Sequence, residues 1–162
     1  MQIVQSFAFA EAETRLQERM ISLAHQPQTF FGVPAEHCSS SDWSQAVAML
    51  RTIRAQSCLP SARVDCLIRV FKLIPAIHRH EHPSADKPLG ADDLLPVFIF
   101  VAVRARLPLA LALHAELHAL CDANRKMSEA GYYLACLEAA LEHISISISI
   151  STADGERDVA HS

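Results

Sequence analysis

The sequence has little glycine, little charge and no long apolar run, and each shortage excludes a class of protein. Four of its 162 residues are glycine, and 20% are charged against 51% hydrophobic, which is typical of a folded domain and not of a disordered chain. The longest strongly apolar stretch, Leu94 to Val103, has about half the length that a transmembrane helix needs. Met1 to Gln5 lacks the basic start of a secretory signal. We therefore expect one soluble domain with no membrane span.

Basic residues are neither numerous nor clustered. There are 14 Lys and Arg against 18 Asp and Glu, with a formal charge of -4, so no basic stripe is available for nucleic acid. The five cysteines share no C-x-x-C spacing, which predicts free, buried thiols in a cytoplasmic protein. A Gly-rich phosphate loop and a G-x-S-x-G elbow are also absent from the sequence. The residues thus give no support to a nucleic-acid-binding protein, a kinase or a serine hydrolase.

Apolar residues recur at helical spacing along most of the chain, which predicts an all-α fold of about six helices. Ser41 or Asp42 is the expected N-cap of the second helix. Pro60 fits the first turn of the third helix, and Pro75 is expected to kink or stop it. The predicted helices begin near residues 3, 42, 60, 93, 108 and 129.

The most apolar of these helices begins with an acidic turn. Nearly every residue from Leu94 to Val103 is apolar, so other helices must surround this one. Asp92 or Asp93 is the expected N-cap, which places Pro96 in the first turn, where a proline costs little. Another polar helix start, residues 129–134, follows one helical hairpin later. Because the two helices run in the same direction, their N-termini should share a face, and we expect that face to carry the function.

Two motifs resemble, in this order and at this separation, the vacuolar-protein-sorting-nine (VPS-nine) domain family. They are Ala91-Asp92-Asp93-Leu94-Leu95-Pro96-Val97 and Glu129-Ala130-Gly131-Tyr132-Tyr133-Leu134. Ser61 to Ile74 and Leu137 to Ala140 are also similar to the family. The resemblance implies a layered helical fold. It divides the chain into an N-terminal helical part (1–57), a core in the same compact unit (58–146) and a flexible tail (147–162).

The resemblance implies guanine-nucleotide exchange on Rab GTPases of the Rab-five subfamily in endosomal trafficking, with no cofactor. Asp92 matches the family's acidic finger, which pairs with the phosphate-binding lysine of the GTPase and repels the phosphate. Tyr132 matches a tyrosine that holds the switch region, and Tyr133 is expected to pack inside. The protein is expected in the cytoplasm and, by indirect recruitment, at endosomes. The other predicted GTPase-binding residues are Asp93, Leu95, Pro96, Ile99, Leu134 and Ala135, and core packing is the alternative for Leu95, Ile99 and Leu134.

Three departures from the family pattern affect the expected activity. Ala135 stands where a threonine or serine is usual, and Ser128 replaces a glycine. Arg106-Leu107-Pro108 replaces an Asn-Pro-Pro-like segment. The last two changes are expected at the rim of the docking face. The alternative function is therefore a non-catalytic Rab-binding or scaffolding module.

Histidines supply a third hypothesis, a metal-binding helical enzyme. His78, His80, Glu81 and His82 form one group, and His114, Glu116 and His118 form another in which two histidines four residues apart share a helix face. The H-E-x-x-H order of zinc enzymes is absent from the sequence. We expect residues 78–82 to be a solvated loop and no metal to bind.

Serine and isoleucine alternate strictly from Ser145 to Ser151. Such alternation is typical of a strand, but here it follows directly on a predicted helix. The context favours a continued helix or a loose tail that packs its isoleucines. A partner-binding edge strand is the less favoured alternative.

Overall fold

A computed structural model describes residues 2–55, 59–121 and 128–159, with side chains up to Ile146. These ranges form six α-helices and two 3₁₀ turns and contain no strand, so the predicted all-α fold is confirmed. No described helix is both long and apolar enough to cross a bilayer. The helices are α1 (Gln2–Leu23), α2 (Ser44–Arg51), α3 (Pro60–Glu81), α4 (Ala91–Ala105), α5 (Ala110–Leu120) and α6 (Glu129–Val159), and the 3₁₀ turns are Gln28–Phe31 and Ala35–His37.

Helix α4 is the centre of the fold. Every side chain from Val97 to Val103 is buried, and α1, α2, α3 and α6 all contact this helix. Phe98 stacks on Phe71 of α3 with ring centroids 4.2 Å apart, and Phe100 meets Phe31 edge-on at 5.7 Å. An apolar surface all round a helix is stable only when neighbours cover it completely, which is the arrangement that the sequence predicted.

The N-cap of α4 is Gly90, not Asp92 or Asp93 as predicted. Asp93 is the third helical residue, and its Oδ2 accepts a hydrogen bond from the backbone N–H of Gly90 at 3.0 Å. The carboxylate therefore caps the helix by reaching backward, as in a capping box. Pro96 consequently lies in the second turn, and the carbonyl of Asp92 has no N–H four residues later to accept from.

Helix α2 begins at Ser44, and its N-cap is Trp43, so the prediction of Ser41 or Asp42 as the cap was wrong. Trp43 is fully buried and has a left-handed backbone with φ 57°. Its indole Nε1 donates to Oε1 of the buried Gln28 at 2.8 Å. This anchor in the core fixes the start of the helix, and no side-chain cap is made.

Helix α3 continues through Pro75 to Glu81, so Pro75 does not stop it, and the kink that was the alternative stays a prediction. Ile74 and Ile77, on either side of the proline, are buried and hold the helix against the core. His78 is also helical and is only 1% exposed. The prediction of a solvated loop over residues 78–82 was therefore wrong for residues 78–81.

Polar side chains attach α1 to the rest of the domain. The carboxylate of the buried Glu13 accepts hydrogen bonds from the backbone N–H groups of Leu111 and Ala112 at 3.2 and 3.1 Å. These N–H groups lie in the first turn of α5, where the helix itself offers them no acceptor. Gln17 donates to the carbonyl of Leu107 at 2.6 Å. Residues 2–11 of the same helix are exposed.

Helix α6 continues along the Ser–Ile alternation to Val159, which is the helix continuation that the sequence favoured. Ile144 is buried and Ile146 is 62% exposed. The boundaries at residues 57 and 146 and the flexibility of residues 147–162 stay predictions.

Four of the five cysteines lie in the described ranges, and all four are free. Cys66, Cys121 and Cys136 are buried, as predicted, and Cys38 is half-buried. The prediction for Cys58 lies outside the described residues.

Candidate functional site

The N-terminal ends of α4 and α6 lie on one face, which we call the Asp92 face. Asp92 is exposed, and no hydrogen bond or ion pair joins its side chain to another described residue. Tyr132, in the first turn of α6, is 50% exposed. The pKa of its phenol is raised by Cys136, by burial and, to a smaller extent, by the negative charge of Asp92. Asp92 thus lies near enough to Tyr132 for its charge to act on the phenol.

Tyr133 points into the protein. Its ring stacks on Phe71 with centroids 4.6 Å apart and 9° between the planes, and Phe71 in turn stacks on Phe98. Its hydroxyl donates to Oε1 of Glu129 at 3.3 Å. Burial raises the pKa of Tyr133, and the carboxylate of Glu129 raises it further. Of the two adjacent tyrosines, Tyr132 therefore exposes its ring to a partner, whereas Tyr133 packs its ring against the core.

The remaining residues predicted for this face differ in burial. Ala135 is exposed, and Leu95 and Pro96 are half-buried, so these three offer surface to a partner. Ile99 is 3% exposed and Leu134 is 6% exposed. The side chains of Ile99 and Leu134 therefore lie in the core and do not line a groove, which resolves the alternative that the sequence left open.

The loop between α1 and α2 supports the Asp92 face, a contact that the sequence did not predict. Gly32 has φ 93°, and a Cβ at this position would lie 3.8 Å from the Cβ of Pro96. Nε2 of His37 lies 3.9 Å from Oδ2 of Asp93. The prolines and the glycine of this loop indicate turns. No periodic signal in the sequence connects the loop with α4, which follows roughly sixty residues later.

Three histidines, His37, His78 and His82, form a chain of side-chain contacts that begins at Asp93. Nδ1 of His37 and Nε2 of His78 are 3.0 Å apart, and the ring of His78 stacks on that of His82 with centroids 4.4 Å apart. Burial lowers the pKa of His78, and His82 and His37 lower it further, so its neutral form is favoured. The sequence singled out His78 and His82 but missed His37, which lies 41 residues earlier than its partner.

The second histidine group does not form a metal site. His114 and His118 have ring centroids 5.8 Å apart, and Glu116 pairs instead with Arg54 and Arg63 at 3.5 and 2.5 Å. Among the residues that the structure describes, no group of three His, Cys, Asp or Glu side chains is placed to hold a metal ion. The metal-enzyme hypothesis therefore finds no support in this part of the chain.

The segment Arg106-Leu107-Pro108 is not at the rim of the Asp92 face. It follows the C-terminal end of α4, and Arg106 is the C-cap. At a rise of 1.5 Å per residue, Arg106 and Asp92 are roughly 20 Å apart along the helix axis. This departure from the family pattern therefore lies at the other end of α4 from the Asp92 face.

The sequence motifs, the helical fold and the shared face agree with a comparison against protein families. Residues 43–147 match the Vacuolar sorting protein 9 (VPS9) domain. The chain belongs to the VPS9 domain family. The match begins at residue 43, so this VPS9 domain includes α2 in addition to the region that the two motifs indicated.

Several curated proteins are similar to this VPS9 domain. VPS9 domain-containing protein 1 from Homo sapiens is 26% identical over 155 residues, which cover 83% of this chain and 24% of that protein. Ras and Rab interactor 3 from Mus musculus is 35% identical over 85 residues, or 52% of this chain and 8% of that protein. GTPase-activating protein and VPS9 domain-containing protein 1 from Xenopus laevis is 28% identical over 116 residues, or 69% and 7%. The chain spans about a quarter or less of the length of each.

Proposed function

We propose that this VPS9 domain promotes the release of GDP from a small GTPase of the Rab-five subfamily. VPS9 domains bind Rab GTPases, and one relative carries the name Ras and Rab interactor 3. The observation that supports the proposal most directly is the exposed and unpaired carboxylate of Asp92 beside the half-exposed ring of Tyr132.

Asp92 acts in this proposal through its charge. A GTPase holds its nucleotide through a lysine and a magnesium ion, so a carboxylate inserted there pairs with the lysine and repels the phosphates. An ion pair at 4 Å contributes about 4 kcal/mol at an effective dielectric of 20, before desolvation costs. Because Asp92 has no partner within the described domain, no internal ion pair has to break before it engages the lysine.

Tyr132 supplies the neighbouring contact. Its ring offers apolar area to the switch region of the GTPase, and its hydroxyl offers a hydrogen-bonding group. The domain binds the nucleotide-free GTPase most tightly. By thermodynamic linkage it therefore weakens nucleotide binding by the same coupling free energy, and fresh GTP then displaces the domain. We place this activity in the cytoplasm and at the periphery of endosomes, where the GTPase or regions outside this domain recruit it.

A non-catalytic Rab-binding module is the second candidate, and Ala135 favours it. This residue is exposed on α6, one turn after Tyr132, and its methyl group can form no hydrogen bond to a GTPase. Ser128 lies directly before α6 on the same side of the domain. Such a module would hold the GTPase without opening its nucleotide site.

Release of fluorescent GDP from a panel of Rab GTPases separates the two candidates. Exchange predicts faster release with the wild-type domain and at least a tenfold slower rate with Asp92→Asn, which removes an interaction of about 1.4 kcal/mol or more. Asp65→Asn is the matched control, because Asp65 is an exposed carboxylate far from the Asp92 face. It lies on α3, roughly 20 Å along the helix from His78, which is the residue of α3 that contacts His37 behind Asp93. Binding without faster release would establish the module instead, and an Asp92→Asn rate equal to wild type would remove the assigned role of the carboxylate.

A further inference from the structure

We propose a second binding site at the opposite end of α4, where an arginine-lined cavity takes a phosphate monoester group. The cavity has a volume of about 780 Å³ and lies between α2, the C-terminal end of α4 and the loop segments around residues 24–25 and 41–42. Its cationic or cation-capable side chains are Arg51, Arg104, Arg106 and His25, and its acidic side chain is Asp42.

This concentration of positive charge contrasts with the rest of the protein. The chain has a formal charge of -4, yet three arginines and one carboxylate line this cavity. The carboxylate is also engaged, because Oδ1 of Asp42 accepts a hydrogen bond from Nε2 of Gln28 at 2.8 Å. The cavity therefore keeps an excess of positive charge that an anion would neutralise.

Two of the guanidinium groups are already held in place. Nη2 of Arg51 donates to the backbone carbonyl of Arg104 at 3.0 Å, and the guanidinium carbon of Arg104 lies 4.8 Å from the centroid of the Phe100 ring. Each guanidinium carries five N–H donors, so most donors of Arg51 stay available. Planar guanidinium groups bind phosphate oxygens in pairs, and prior positioning lowers the entropy lost on binding.

Arg106 occupies a backbone position that favours glycine. Its φ is 47° and its ψ is 55°, the left-handed conformation that commonly ends a helix with glycine. A basic residue near a helix C-terminus also interacts with the free carbonyls there, and Arg51 makes this contact with the carbonyl of Arg104. The convergence of three arginines in one cavity exceeds this need, and it points to an anionic ligand.

The size and place of the cavity define the ligand further. The cavity has room for more than a phosphate ion, so the phosphate group can belong to a larger molecule, either a soluble one or a lipid headgroup. Arg104 lies roughly 18 Å along the helix axis from Asp92. Such a ligand and a GTPase on the Asp92 face therefore bind at opposite ends of the helix, and this proposal does not depend on the exchange activity.

Trp43 provides the measurement. It is the one tryptophan of the chain, it is buried, and its sequence neighbours Asp42 and Ser44 line the cavity. We would titrate the whole chain with inositol bisphosphate and with inorganic phosphate at constant ionic strength, following tryptophan fluorescence and the melting temperature. The expected result is saturable binding of inositol bisphosphate with a rise in melting temperature, since a ligand stabilises the state that binds it.

Arg106→Gln is the test variant and Arg79→Gln its control, since Arg79 is an exposed arginine of α3 that does not line the cavity. Losing one charged hydrogen-bonding group is expected to weaken binding about tenfold in Arg106→Gln and to leave Arg79→Gln unchanged. If circular dichroism shows that Arg106→Gln does not fold, Arg51→Gln takes its place. No saturable binding, or equal weakening in the variant and the control, would overturn the proposal.

Vesicles distinguish the two sources of the phosphate group. Sedimentation would compare phosphatidylcholine vesicles containing phosphatidylinositol monophosphate with vesicles containing the same amount of phosphatidylinositol, which has no monoester. Binding to the first kind alone assigns a lipid headgroup, and binding of inositol bisphosphate without sedimentation assigns a soluble ligand. Both results support a monoester site, whereas equal sedimentation with both vesicles would contradict it.

Discussion

The first turn of α4 and the stretch Val97–Val103 belong to one helix but lie in opposite surroundings. In the first turn, Asp92 is exposed and pairs with no other residue that the structure describes, and Asp93 contacts the start of the helix and His37. In the buried stretch, every side chain is covered by neighbouring helices. The central helix therefore acts as a rigid support, since a tightly packed stretch fixes the position of the charged turn that precedes it.

This difference implies that stability and function can be changed separately. A substitution in the buried stretch leaves a cavity and costs several kcal/mol, whereas a change of one exposed carboxylate leaves the packing intact. The histidine chain behind Asp93 is intermediate, because its central residue, His78, is buried but polar, and its two outer members are half-buried. Substitutions in these three places test the comparison.

Phe98→Ala is expected to have the largest effect. Phe98 is fully buried and stacks on Phe71, which also carries the ring of Tyr133, so its loss should destabilise the domain by about 3–5 kcal/mol. Urea unfolding followed by circular dichroism measures this change. Phe7→Ala is the matched control, because Phe7 is 69% exposed and its truncation should change stability by about 0.5 kcal/mol or less. Equal losses in both variants would break the distinction between the buried stretch and the surface.

Asp93→Ala should cost less, about 0.3–1.5 kcal/mol, because it removes the hydrogen bond to the backbone of Gly90 and the contact with His37. The neighbouring Asp92→Ala removes only a favourable interaction with the helix dipole and should cost less than Asp93→Ala in the same unfolding experiment. A larger loss of stability at Asp92 than at Asp93 would show that the two adjacent carboxylates have been assigned the wrong roles.

The last expected effect is a dependence of stability on pH. Because burial lowers the pKa of His78 in the folded state, the unfolded chain binds a proton more readily between that lowered pKa and about 6.5. The contribution of neutral His78 to the free energy of unfolding is therefore complete above about pH 6.5 and is lost as the pH falls toward the folded pKa. The free energy of unfolding changes by at most about 1.4 kcal/mol per pH unit for one proton.

Unfolding in urea at several pH values between neutral and mildly acidic checks this sign. His78→Gln should flatten the dependence, since glutamine keeps hydrogen-bonding groups but does not titrate. His80→Gln, at an exposed position of the same helix, should leave it unchanged. A pH dependence that is equally steep in both variants would assign the effect to other groups.

Residue patterns predicted the helices well and their ends less well. The apolar run of α4 identified its buried stretch, because an apolar surface on all sides of a helix has one stable environment. The caps of α2 and α4 were misplaced, because contacts decide them: Trp43 is fixed by Gln28, and Asp93 reaches back to Gly90. The continuation of α3 past Pro75 likewise depends on burial of the residues on either side.

The sequence by itself determined the all-helical character of the fold. For the candidate site, it determined the two motifs and the pairing of an acidic and an aromatic residue at two helix starts. The helical character and the two polar helix starts follow from periodicity and local composition, which act over a few residues, whereas the two motifs and the pairing of Asp92 with Tyr132 follow from the resemblance to the VPS9 family. Only the tertiary structure decided that Ile99 and Leu134 are in the core, that His37 contacts Asp93, and that three arginines converge on one cavity. Those contacts join segments that are distant along the chain, and no local pattern encodes the packing that brings them together.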